Sequence, residues 1–342
     1  MRNQFMLIRV ITAIVLFMVL AKANLWADTK THLVLAVGYR TFLLAAPFFM
    51  YFGIANGMRS SLLIGALALG FSLYSFNYIA MGLFALSMAV SGYISKYVNS
   101  NTSRGAADNK VSLNVGSLIA GGLVALSADK SLLLSGSIVL LLYGFYLAMK
   151  IPWNKILESE KATENLEIKT KVQMVPLVGW ILIGVATGIK LTGIFSILPQ
   201  YLIHKTGSLP SWYGSMIILN SVGVIFFQHK ILNYLGKSKK NMTFVFSISA
   251  MALLAMPAVM HVEQIGMAVI WLLLLTLGEC ALSRYDKLAK DYGYLFYKEI
   301  MVGVGSFITV YLSRDYSAHI YLSGFVGIIS IAVGATFVRI IK

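Results

Sequence analysis

The chain has 342 residues, 58% of them hydrophobic and only 12% charged, with one cysteine and a formal net charge of +15. So few charges cannot cover a water-soluble surface, so lipid is the solvent for most of the chain. The basic residues lie in short loops between apolar runs rather than on one soluble face, which excludes nucleic acid as the partner; the lone Cys280 excludes an internal disulfide and a cysteine-based metal cluster.

Taken in order, residues 1–26 open with Arg2 and Arg9 around an apolar core, 10–20, and then Ala21-Lys22-Ala23. This reads either as a signal peptide with a small-x-small cleavage site or as a retained first span over 4–24. Retention is preferred, because removal leaves an unpaired set of five spans before the linker. Further apolar blocks follow at 32–55, 60–75, 78–98, 111–126 and 131–150, and then at 177–204, 210–228, 242–260, 265–283, 292–312 and 320–340. At about 18–25 residues, such blocks are long enough to cross a hydrocarbon core of about 30 Å. Each must be helical, since a lipid-facing backbone has to satisfy its own hydrogen bonds. Between the sixth and seventh blocks runs a polar linker, 151–176, with Lys155, Glu158, Glu160, Lys161, Glu164, Glu167, Lys169 and Lys171. The expected fold is an all-α integral membrane protein of about 12 transmembrane helices. Residues 1–150 form one six-helix bundle and 177–342 the other, with the linker in the cytoplasm.

Short spacers make neighbouring helices antiparallel, and an even count of spans puts both termini on one side. Placing that side in the cytoplasm leaves only Lys22, Lys30, Lys130, Lys205 and Arg314 in outer loops, with nearly all other basic residues inside. That is a positive-inside bias carried through both halves. It predicts a multi-pass protein of the inner (cytoplasmic) membrane. A short repeat links the halves: Val115-Gly116-Ser117-Leu118-Ile119 in the fifth block returns as Val304-Gly305-Ser306-Phe307-Ile308 in the eleventh.

A charge near mid-bilayer costs about 2.5–3.5 kcal/mol on insertion scales, so each one needs a reason. Arg40 and Lys190 read as a cationic cavity wall for an anionic substrate, arginine gripping bidentately and lysine acting as a point charge. The alternative for both is an interhelical ion pair or snorkelling. Glu279 reads as a proton carrier, since a carboxyl in a low-dielectric path becomes able to load and release protons; its alternative is a salt bridge at the inner gate. Glu299 duplicates it. Adjacent Lys298 and Glu299 point about 100° apart, so at most one is expected to face a cavity. Asn114 and Asn220 read as substrate donors or as interhelical glue. Gly116, Gly121 and Gly122 allow helix backbones to approach and slide. Trp26, Trp153 and Trp212 fall at predicted interfaces, where belt anchoring is the expected role.

Four stretches then resemble the major facilitator superfamily over nearly the whole chain. Gly53-Ile-Ala-Asn56-Gly57-Met-Arg59, read as the loop after the second span, is similar to the family's Gly-x-x-x-Asp-Arg-x-Gly-Arg-Arg signature, with Asn56 at the acidic position and Arg59 for the basic pair. Ser112 to Gly122, with Asn114, Gly116, Gly121 and Gly122, resembles the glycine-rich fifth span of the antiporter branch, without its proline. The run from Gly207 through Tyr213, Asn220 and Ser221 to Gln228 resembles drug-efflux members, as does Thr276-Leu277-Gly278-Glu279. The resemblance implies a secondary active transporter working by alternating access, in which two bundles rock about a central site. It implies conformational or gating roles for Gly53, Asn56, Arg59, Gly116, Gly121, Gly122 and Gln228, and a monomer. Arg59 and the Lys237–Lys240 cluster are either inner latches or positive-inside anchors.

The function expected is proton-coupled export of a small, carboxylated (siderophore-like) metabolite or a drug, with no cofactor and no metal. No Gly-x-x-x-x-Gly-Lys-Ser/Thr loop is present for ATP drive. No His-Glu-x-x-His pattern occurs, and the five histidines are scattered, which argues against a membrane enzyme. The alternative is a transporter-like scaffold or sensor that carries no cargo.

Overall fold

The computed structural model describes residues 2–26, 29–126, 129–153, 174–192, 207, 211–235, 265–312 and 329. Every regular element among them is a helix. The first half holds α1 (Arg2–Trp26), α2 (Thr29–Thr41), α3 (Ala46–Tyr51), α4 (Ile54–Tyr74), α5 (Tyr78–Asn99), α6 (Ser103–Leu126) and α7 (Lys130–Lys150). The second holds α8 (Met174–Thr192), α9 (Ser211–Leu235), α10 (Ile265–Asp291) and α11 (Leu295–Leu312). The expected block at 242–260, that at 320–340 apart from residue 329, and most of the linker lie outside the described residues, as do Lys237–Lys240. Five stretches among the described residues are long and apolar enough to cross a membrane: Asn3–Ala23, Val34–Tyr51, Ile54–Tyr74, Tyr78–Asn99 and Lys130–Lys150. This is a multi-pass helical membrane chain. It divides into two compact units, Met1–Lys171 and Val172–Lys342.

In the first unit α4 packs on α5 and α7, α2 on α5, and α1 on α6 and α7. Two starts are capped as their residues dictate. Asn77 accepts from the Ile79 and Ala80 N–H groups at 3.0 Å each, and Asp129 accepts from the Leu132 N–H at 2.8 Å, so orphan donors at the helix start are satisfied.

The second apolar block is not one helix. It narrows to a 3-10 turn over Phe42–Ala45 and resumes as the short α3, which carries Pro47 in its first turn. Proline has no N–H to return to the preceding turn, so the α pattern breaks there. The chain then turns at Gly53, whose φ of 97° suits only glycine. Helix α4 begins directly after it, so Asn56 and Arg59 belong to its first turns rather than to a loop. The Asn56 amide donates to the Phe52 carbonyl at 3.0 Å. The Arg59 Nε donates at 3.3 Å to the Ala148 carbonyl near the end of α7.

That carbonyl has a second donor, the Trp153 indole N–H at 2.8 Å. Trp153 is buried, edge-on to Phe5 of α1 with ring centroids 4.9 Å apart, so it ties the start of the linker to its own unit instead of anchoring in the interface. Trp153→Phe keeps an aromatic ring but loses the indole N–H donor and part of the buried volume. The expected result is a loss of at least about 1 kcal/mol, seen as a lower unfolding temperature in detergent.

The glycine repeat marks one feature in each unit. Gly116 of α6 lies on α1, where a Cβ would stand 2.7 Å from the Val10 carbonyl oxygen and 3.0 Å from the Ile14 nitrogen and would also strike Ala13. One turn further on, Met18 and Ala120 share a buried cluster with Leu133, so α1 and α6 run parallel. In the second unit Gly305 of α11 lies against the Val185 carbonyl of α8. Gly184 and Gly188 of α8 return the contact: a Cβ at 184 would stand 2.8 Å from Met301 Cβ and one at 188 would stand 2.8 Å from the Ser306 nitrogen. In both units the first helix and the helix bearing the repeat touch backbone to backbone, the small-residue mode of membrane packing. Gly121 and Gly122 do not share it. Both are exposed, and a Cβ on either meets nothing within 4 Å among the described residues.

Candidate functional site

The richest buried polar chemistry lies between α9 and α10 of the second unit. On α10, Thr276, Glu279, Ser283 and Asp286 recur at steps of three, four and three, which places them along one face. On α9, Asn220 and Gln228 stand two turns apart and face them. Glu279 is 3% exposed and Gln228 fully buried.

The Asn220 amide donates to Glu279 Oε1 at 3.3 Å, and the Thr276 hydroxyl reaches Asn220 Oδ1 at 2.9 Å. Two turns along, the Gln228 amide donates to the Cys280 carbonyl at 2.9 Å and to Ser283 Oγ at 2.8 Å. Gly223 makes the close seat possible, since a Cβ there would stand 2.9 Å from Thr276 Cγ2. Glu279, Asn220 and Gln228 were expected in three different roles. The structure brings all three onto one seam, with Thr276, which sequence reasoning named only as part of a motif, and Ser283, which it passed over. The polar stripe on α10 was the signal that could have found them.

A second cluster sits where α10 turns into α11, a turn closed by Gly293 at φ 76° and by the Tyr294 N–H donating to the Ala289 carbonyl at 2.6 Å. The Lys298 ammonium lies 2.6 Å from Asp286 Oδ1 and 2.6 Å from Glu299 Oε1, and it is 1% exposed. Glu299 and Asp286 are buried too. Lys298 and Glu299, about 100° apart on the helix, are therefore both buried inside the unit. The flexible lysine stem folds back so that both charges meet inside the unit. Asp286 is a partner that single-residue reading of this helix end missed.

Lys190 is 3% exposed in α8, on the side of the helix away from the Gly184–Gly188 seam, since two residues rotate a helix by about 200°. In the first unit, Arg40 is half-buried one residue before the end of α2, its guanidinium 4.5 Å from the Tyr39 ring centroid. Asn114 is buried and donates to the Lys110 carbonyl of its own helix at 3.0 Å. Arg9, at first sight only a flank of the first apolar block, is a buried charge of α1. Its Nη1 stands 3.1 Å from where a Cβ on Gly92 of α5 would be.

No protein-family model matches this sequence, and no curated protein matches it. Solved structures do match, over nearly the whole chain. The human organic anion transporter MFSD10 (TETRAN) aligns with a TM-score of 0.65 at 10% identity, covering 97% of this chain and 98% of its own. The major facilitator superfamily proton:xylose symporter XylE, bound to 6-bromo-6-deoxy-D-glucose, aligns at 0.67 and 10%, covering 98% and 96%. A partially occluded inward-open xylose transporter XylE from E. coli aligns at 0.64 and 11%, covering 99% and 96%. At such identities the likeness establishes the fold. The chain has the all-helical major facilitator fold.

Proposed function

We propose that this protein is a secondary transporter of the major facilitator type, working by alternating access and coupled to protons. The observation that carries the reading is Glu279, a carboxyl buried in a helix of a multi-pass membrane chain and held on a polar seam. A carboxylate withdrawn from solvent inside such a chain is costly and points to a functional pathway. The fold neighbours lend support, one being an organic anion transporter and another a proton:xylose symporter by their titles.

Lys190, buried in α8, and Arg40, half-buried in α2, support a small anionic or carboxylated substrate, to which a cationic side chain offers a charge-assisted bond. Export, rather than import, rests on the resemblance to drug-efflux members. The charge distribution favours an inner-membrane placement with both termini cytoplasmic, and the fold is compatible with action as a monomer.

The test is proton-gradient dissipation in proteoliposomes offered carboxylated metabolites and lipophilic cations. Glu279→Gln is expected to lower coupled flux by about 10²-fold or more, as removal of a proton-transfer group does. Lys190→Ala is expected to raise the KM for an anionic substrate about tenfold, the scale of a lost charge-assisted hydrogen bond. Dissipation by cations that survives Lys190→Ala would replace the anion reading with multidrug export. A folded protein that responds to no compound would make a scaffold or sensor the better reading.

A further inference from the structure

Thr276 has two acceptors at the same distance, the Asn220 Oδ1 and the Leu272 carbonyl, each at 2.9 Å, but one proton to give. Asn220 sits between Thr276 and Glu279 with its carbonyl oxygen toward the first and its amide nitrogen toward the second. An amide has a donor end and an acceptor end of nearly equal size, so the same seat accepts it turned end for end.

From this geometry we infer that Asn220 and Thr276 form a two-state relay that reads the protonation of Glu279. The inference rests on the proposed role of Glu279 as the proton carrier. With Glu279 ionised, its oxygens only accept. Asn220 Nδ2 donates to Oε1, and the Thr276 hydroxyl donates to Asn220 Oδ1. With Glu279 protonated, its O–H needs an acceptor. The amide turns about its Cβ–Cγ bond, Oδ1 takes the Glu279 proton's hydrogen bond, and Nδ2 donates to Thr276 Oγ1. The Thr276 hydroxyl then points to the Leu272 carbonyl, already in reach.

Three groups keep partners in both states, and Asn220 and Thr276 each retain their own protons. Only Glu279 gains or loses one. Thr276 and Asn220 are thus positioning residues: they hold either protonation state at little cost and convert a proton on α10 into an amide rotation on α9. Gly223 reserves the space in which Thr276 stands.

The helices packed against α10 among the described residues are α9 and α11. The titratable groups of α9 are Tyr213, His229, Lys230 and Tyr234, none of them between Asn220 and Gln228. On α11, Lys298 and Glu299 are engaged with each other and with Asp286. Cys280 and Arg284 are the nearest such groups on α10 itself.

The experiment is proton-induced infrared difference spectroscopy on the full chain in lipid, with asparagine side chains carbon-13 labelled. Wild type should show a carboxyl band that disappears in Glu279→Gln, together with a label-shifted amide band that disappears in Asn220→Leu. Thr276→Ser should keep the pair of bands and stay within about twofold of wild-type turnover, while Thr276→Val should lose the amide band and turn over about 5- to 10-fold more slowly at unchanged KM, the scale of one hydrogen bond. A Glu279 band with no asparagine companion in wild type overturns the relay and leaves Glu279 as proton carrier intact. So does a Thr276→Val protein that keeps both bands. Absence of any Glu279-dependent band across the pH range overturns the proton-carrier reading and the relay with it. If Asn220→Leu fails to fold, the comparison of labelled wild type with Thr276→Ser and Thr276→Val decides the matter alone.

Discussion

Lys298→Met is expected to destabilise the second unit by about 3–5 kcal/mol, the penalty for breaking a buried ion cluster by removing one member. The ammonium serves two carboxylates at 2.6 Å each, and all three groups are withdrawn from solvent. Methionine fills a similar volume but leaves Asp286 and Glu299 without the cation they share. Their burial then costs free energy that nothing in the cluster offsets. The cost does not come from losing the lysine stem, so a triple variant that also carries Asp286→Asn and Glu299→Gln should regain most of the stability. Chemical unfolding in detergent would measure both. A single variant as stable as wild type would show that the cluster is solvated enough to tolerate the loss. It would also remove the argument that the α10–α11 end is held by charge.

Gly188→Leu should be the most damaging substitution in the backbone seam of the second unit. A Cβ at this position would collide with the Val302 carbonyl and stand 2.8 Å from the Ser306 nitrogen. Both are backbone atoms of α11, so no side chain can move aside, and α8 and α11 must separate along the seam. Gly184 and Gly305 lie in the same contact, and each depends on the separation that Gly188 sets. The expected outcome is loss of the folded, monodisperse protein on size-exclusion chromatography. Gly121→Leu in α6 is the control, because that position opens onto free space among the described residues, and it should leave the profile unchanged.

Much of this was legible from residue order. Apolar blocks of membrane-spanning length separated by short polar turns leave the backbone no option but helix in a lipid solvent, and α5 and α7 run close to the blocks read for them, while α4 starts at Ile54, ahead of the block read from residue 60. The paired glycines at 116 and 305 were visible as a repeat, and both stand on the seam between the repeat-bearing helix and the first helix of their unit. The break at Phe42–Ala45 was less visible. Its residues are as apolar as a continuous span requires, and only the missing N–H of Pro47 betrays it.

Which polar groups meet is a different kind of information. Asn220 and Glu279 lie 59 positions apart; alone, the first reads as substrate donor or interhelical glue and the second as proton carrier or salt-bridge partner. Asp286 looks like an ordinary charge at a helix end until Lys298 is seen folding back to it. Composition and periodicity by themselves determined that this chain is helical, lies in a membrane and carries a few costly buried charges, because those properties depend on solvent and on local spacing. The joining of Asn220, Thr276 and Glu279 into one seam, and of Lys298 with two carboxylates into one cluster, was decided only by tertiary packing. The rotation and depth at which one helix meets another are set by glycines and side chains on both, and no single stretch of sequence contains them.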